Sequence, residues 1–228
     1  MAATTQPIKR TALHRTSLAL GATMTDFEGW QTAAQYRSPD EEQQHVRRGV
    51  GLADTSWLGK LEVRGSSLDE PTWEITGSNV WSLARGDRLV TCAPRDTPAI
   101  RQALLDRVDR ASVDSAVSSP SCLHITDVTS VYAALLLAGP KSRDVLQRLT
   151  ALDVSDPVLP DRSCARSGLA HVRATVLRLD IGQTLAYRLL VGWEYGAYVW
   201  SAVMHAGEAC GIVPFGLDAL HRLRDEAG

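Results

Sequence analysis

The sequence predicts an α+β fold in which two related strand–helix units pack their helices on antiparallel sheets. Three observations predict it. A strand, a glycine turn and a helix start occur in succession twice, at Leu61-Glu62-Val63-Arg64-Gly65-Ser66-Ser67-Leu68 and at Leu136-Leu137-Ala138-Gly139-Pro140-Lys141-Ser142-Arg143. A strand leading into a helical stretch also occurs twice, 88–91 into 98–108 and 187–191 into 194–209. Near the end, Ala219, Leu220 and Leu223 recur at helical spacing, with Arg224 and Glu226 close together at the helix end.

In chain order, residues 1–12 read as an N-terminal extension and residues 13–228 as one domain. Its first unit runs from about 13 to 112 and its second from 122 to 228. Gly65 and Gly139 permit the tight strand-to-helix turns, and Ser66 and Pro140 suit helix beginnings. The stretch 113–121, rich in Ser and Asp with one Pro, reads as the linker between the units. A second loop, rich in Pro and charge, is expected at 156–166.

Bulk properties narrow the function. The 228 residues are 44% hydrophobic and 22% charged, ordinary for a globular chain that buries a substantial core. A net charge of −2 favours neither nucleic acid nor an anionic membrane as partner. The longest apolar run, 133–138, falls far short of the roughly 20 residues that span a bilayer. Cys92, Cys122, Cys164 and Cys210 form no Cys-x-x-Cys pair, which argues against a zinc site and a disulfide framework, and so for a reducing, cytoplasmic setting. Absence of Gly-x-Gly-x-x-Gly and of a Walker-type loop argues against a flavin or nicotinamide bound by this chain alone. The first 25 residues hold no acid, as in a mitochondrial transit peptide; the rival reading assigns 11–20 to the domain.

Four colinear pieces carry a family resemblance from about Leu13 onward. The first is Gly21-Ala22-Thr23-Met24-Thr25-Asp26-Phe27-Glu28-Gly29-Trp30. The second is Arg47-Arg48-Gly49-Val50-Gly51-Leu52-Ala53-Asp54-Thr55-Ser56. The third is Leu137 to Leu146, and the last runs Gly216-Leu217-Asp218-Ala219-Leu220-His221-Arg222-Leu223-Arg224-Asp225-Glu226-Ala227-Gly228. Together they resemble the folate-binding domain of the glycine-cleavage T-protein (aminomethyltransferase) superfamily, whose signature is Gly-x-x-Ala-x-x-x-Leu-Arg-x-Glu-x-Gly. Gly211 to Gly216 and Arg162 to Val172 are similar to T-protein-like parts of heterotetrameric sarcosine oxidase. In the superfamily a barrel-like domain follows the signature; this sequence ends on it, so the expected fold lacks that C-terminal domain.

The resemblance implies a central hole for tetrahydrofolate, with acidic groups on the pterin donors and an arginine beside them. By position it implies Arg224, Glu226, Gln183, Tyr187 and Trp30 as cofactor-binding residues. Each has a plainer reading: Arg224 as an exposed arginine paired with Glu226 or Asp225, Trp30 as a core tryptophan, Asp26 as a turn cap. The family's acidic hairpin is missing between Trp81 and Arg88, which leaves Asp87 as a displaced catalytic candidate or a turn residue. The segment Gly-Glu-x-Gly-Tyr-Glu corresponds to Gly182-Gln183-Thr184-Leu185-Ala186-Tyr187-Arg188, both glutamates being replaced. Cys92 stands where an asparagine is usual. No metal is implied, and His171 and His205 carry no partner pattern.

Two functions are therefore expected. One is a tetrahydrofolate-dependent aminomethyl or methyl transferase, taking an amine or methyl donor and completed by a partner chain. The other is a non-catalytic accessory subunit of a sarcosine-oxidase-like amine oxidase or demethylase. On either, an apolar patch near Phe215, Leu217 and Leu220 is expected to lie bare and to seek a partner or a second copy.

Overall fold

The computed structural model describes residues 9–65, 74–84, 86–114 and 124–226. In chain order the elements begin with β1 (Lys9–Arg10), α1 (His14–Ala19), β2 (Thr23–Phe27), β3 (Trp30–Gln35), α2 (Pro39–Arg48) and β4 (Gly51–Asp54). Next come β5 (Gly59–Arg64), β6 (Ser78–Ala84), β7 (Asp87–Cys92), α3 (Thr97–Asp114) and β8 (His124–Asp127). The chain continues with β9 (Tyr132–Ala138), α4 (Ser142–Leu146), β10 (Cys164–Leu169), β11 (Val172–Arg178) and β12 (Ala186–Gly192). It closes with α5 (Gly196–Gly207), β13 (Val213–Pro214) and α6 (Leu217–Asp225).

Two compact units result: Met1–Trp57 with Tyr132–Gly228, and Leu58–Val131. The grouping differs from the expected sequential halves, and strand pairing is the reason. β4 pairs antiparallel with β9 and parallel with β13, so the first unit draws on both ends of the chain. The segment read as a linker begins inside α3, and its remainder lies outside the described residues.

The larger unit is built on a six-stranded sheet, β10-β11-β12-β9-β4-β13, antiparallel except at β13. β9 is buried along its apolar run, as a central strand covered on both faces should be. On one face Leu135, Leu137, Tyr187, Leu189 and Val191 pack with Val145 of α4 and Val199, Trp200 and Val203 of α5. A three-stranded sheet, β1-β3-β2, belongs to the same unit. Its hairpin turns at Glu28 and Gly29, both at positive φ, between the paired Phe27 and Trp30. That is the backbone twist favoured for two-residue hairpins.

The smaller unit is a four-stranded antiparallel sheet, β6-β7-β5-β8, with α3 against it. Leu61, Val63, Val90 and Cys92 pack with Ile100 and Leu104 of α3. The expected strand at 61–64 is β5, while the helix start at Ser66 lies outside the described residues.

The bare patch expected at the end of the chain is not there. Phe215, Leu217 and Leu220 are buried. Phe215 fills the space left by the missing side chain of Gly51, beside Val46 of α2, and its N–H donates to Leu52 O at 3.0 Å. α6 then packs on α2 and β3. A side chain at Gly216 would collide with the Ala34 carbonyl, so only glycine allows this close approach.

Candidate functional site

Helix α2 opens the site's construction. Ser38 caps it, accepting from Glu41 N, Pro39 occupies the first turn, and acids precede basic residues as the helix dipole favours. Within it Glu42 is buried and accepts three backbone N–H groups, from Tyr36 at 2.6 Å, Arg37 at 2.7 Å and Gly216 at 2.8 Å. One carboxylate thus ties α2 to the end of β3 and to the start of α6. Charge-assisted bonds of this kind are the strong ones.

Between α2, α6 and the loop before β12 lies a cleft of about 570 Å³, lined by Arg47, Ile181, Gly182, Gln183, Thr184, Leu223 and Glu226. Gly182 and Gln183 form a two-residue turn closed by reciprocal Ile181–Thr184 backbone bonds, with Gly182 at φ +58°. Gln183 and Glu226, two of the residues singled out by sequence, therefore share one cavity. Glu226 pairs with Arg47 of α2, not with Arg224 as the spacing on α6 suggested. Both partners of that pair are about half exposed, so its worth is organisational more than energetic. Arg47 was missed as a lining residue; its place on the last turn of a capped helix is the only local signal.

The other candidates fall elsewhere. Tyr187 is fully buried on the α4–α5 face of β12, donating to Val154 O at 3.2 Å. Trp30 is buried in β3, its ring 6.5 Å from that of Trp193 and beneath the Lys9 ammonium. Asp87 belongs to the smaller unit, where it opens β7 directly after a tight turn at Gly86 and lies 3.9 Å from Arg64. Cys92 is buried beside Thr97, and burial pushes its thiol up, opposite to an activated nucleophile. Among the described residues no three His, Cys, Asp or Glu side chains gather as metal ligands, and no helix is long and apolar enough to cross a membrane.

Two buried charged groups attract notice. Asp54, in the Gly51–Ser56 motif, accepts from Ser56 N at 2.9 Å, Ser56 Oγ at 2.6 Å and Leu13 N at 3.3 Å. Burial pushes its carboxyl up against those stabilising bonds. The Asp-x-Ser spacing is the legible signal of this local turn. The other is Arg188, 5% exposed on β12, whose buried Nε has no acceptor among the described residues. Burial lowers it to about 10, with the charge of Arg224 adding to the effect. Arg224 itself reaches solvent at the end of α6, yet the surrounding protein still lowers it.

Comparison with known proteins agrees with this architecture. The model of the GCVT N-terminal domain matches residues 13–105 and 86–228. The aminomethyltransferase of Streptomyces coelicolor is 31% identical over 237 residues, 97% of this chain and 63% of that protein. The glycine cleavage system aminomethyltransferase T of Bartonella henselae superposes with a TM-score of 0.74 at 18% identity, over 97% of this chain and 63% of the other. Heterotetrameric sarcosine oxidase from Corynebacterium sp. U-96 superposes with a TM-score of 0.60 at 14% identity, over 88% of this chain and 95% of the matched one. The chain thus spans 63% of the length of the Streptomyces relative. With the family model matching from residue 13 to 228 and a relative 31% identical over 97% of the chain, the chain belongs to the GCVT N-terminal domain family.

Proposed function

We propose that this chain is a tetrahydrofolate-dependent one-carbon transferase, of the aminomethyl or methyl kind, that works with a further polypeptide. The observation that carries the reading is the shared cleft: Glu226 of the C-terminal signature and Gln183 of the loop before β12 line one cavity of about 570 Å³. That volume lies within the roughly 300–1,000 Å³ typical of small-molecule sites. A pterin edge presents a row of N–H donors beside a carbonyl. The Gln183 amide offers one acceptor and one donor, and the Glu226 carboxylate offers acceptors only, so the two fit such an edge in kind. When bound, tetrahydrofolate supplies the nitrogen that receives the one-carbon unit. The chain's own part is positioning: α2 holds Glu226 through Arg47, and the 181–184 turn holds Gln183.

Two observations favour a second reading, an accessory subunit of a sarcosine-oxidase-like amine oxidase or demethylase without catalysis of its own. Arg188 stands where the resemblance calls for an acid, and Asp87 is engaged at a hairpin start. Isothermal titration calorimetry of the purified chain with 5-formyl-tetrahydrofolate separates the readings. Micromolar binding, weakened about tenfold in Glu226→Gln and in Gln183→Ala, supports the transferase. A folded chain that binds nothing at millimolar ligand supports the accessory subunit, whose partner is then sought by co-expression with flavin-dependent amine oxidase chains.

A further inference from the structure

We propose that Arg188 and Arg224 form an anion site that takes the carboxylate of a small ligand on the larger unit. The inference goes beyond the pterin cleft, because a cation cannot read a row of N–H donors.

The geometry begins with strand alternation. Tyr187 and Leu189 point into the α4–α5 core, so Arg188 between them points to the opposite face of the sheet. There it sits between two directly paired leucines, Leu136 of β9 and Leu177 of β11, both buried. An arginine held in apolar surroundings normally has a carboxylate or carbonyls around it, since an unpaired buried charge is strongly disfavoured. The Nε of Arg188 is fully buried and has no acceptor among the described residues. The charge it feels is a second cation, Arg224 of α6. A carboxylate bound here would take the unused Nε–H of Arg188 and relieve the repulsion between the two cations. Arg224 lies between Leu223 and Glu226, which line the cleft, so the anion site adjoins it along α6.

Such a carboxylate comes from one of two sources: an amino-acid-like amine donor, or the glutamyl tail of a folate. The test uses the full chain with four probes: N-methylglycine, 5-formyl-tetrahydrofolate, the corresponding 5-formyl-tetrahydropteroate lacking glutamate, and inorganic sulfate. Binding is read by calorimetry and thermal shift for wild type, Arg188→Met and Arg224→Met.

The proposal expects Arg188→Met to melt higher than wild type in anion-free buffer, and carboxylate binding to weaken about tenfold or more in both variants. A response to N-methylglycine assigns the amine donor; a response to the formyl folate but not to the pteroate assigns the tail. The proposal falls if Arg188→Met melts lower in anion-free buffer, if carboxylate binding is equal in wild type and variants, if only sulfate responds, or if no probe does. Pteroate binding unaffected by either substitution overturns this site while leaving the pterin cleft intact. Binding of N-methylglycine alone does the reverse.

Discussion

Two arginines on neighbouring strands of one sheet meet opposite fates. Arg178 at the end of β11 is as buried as Arg188 on β12, yet it is saturated with acceptors. It donates to Asp156 at 2.5 Å, to Leu159 O at 2.8 Å and to Asp180 at 2.9 Å. Those partners hold its guanidinium above the ordinary value, Asp180 first. Arg188 is pushed the other way, by burial and by a like charge. The contrast separates two uses of a buried cation: one closes a loop onto the sheet, the other is left for something outside the chain.

Glu42 offers the largest way to break the comparison, since α6 and with it Arg224 depend on this carboxylate. Glu42→Ala strips acceptors from three backbone N–H groups at once, and we expect a loss of about 3–5 kcal/mol in denaturant unfolding. Arg178→Met comes next, with an expected loss of about 2–3 kcal/mol, reduced from a fully buried pair because Asp156 is well exposed. Arg188→Met reverses the sign, with a gain of about 1–2 kcal/mol in anion-free buffer, because no described residue is left without its donor Nε. A loss at both arginines erases the distinction between them. Tyr187→Phe, which deletes the donation to Val154 O and the acceptor 3.5 Å from Arg143 Nε, is expected to lose about 1 kcal/mol.

The smallest effect is a pH dependence. Asp156 is held below its ordinary value of 3.8, first by Arg143 and then by Arg178. Its folded pKa is depressed, so its stabilisation is full above 3.8 and is lost as pH falls through the lowered value. Melting temperature followed through the acid range should therefore drop less steeply in Arg178→Met than in wild type. Arg188→Met should keep the wild-type slope there.

Much of the fold is legible in the chain. The apolar run of β9, the strand read at 187–191 and the helical spacing of Ala219, Leu220 and Leu223 each mark an element that the structure contains. The Asp26–Trp30 segment announces its hairpin through Gly29. Local patterns do not encode which distant strands meet, and so the sequential halves read from repeated strand–helix pieces gave way to a first unit closed by β4, β9 and β13. The candidate site divides the same way. Gln183 and Glu226, singled out by motif position, line one cavity, whereas Tyr187, singled out in the same way, is turned into the core by the strand's alternation. Arg188 was visible only as a replaced acid; that its Nε lacks an acceptor among the described residues is a property of three-dimensional packing.

The discontinuity of the larger unit has a consequence for biosynthesis. Strands β5 to β8 lie together in Leu58–Val131 and can pair as soon as that stretch leaves the ribosome. The preceding residues cannot finish: Glu42 meets Gly216 only 174 positions later, and β4 waits for β9 and β13. Closing so long a loop is slow, and unpaired strand edges are exposed meanwhile. Pulse-labelled hydrogen exchange during refolding should accordingly protect β5 and β7 before β4, with the nascent N-terminal segment the part most in need of a chaperone.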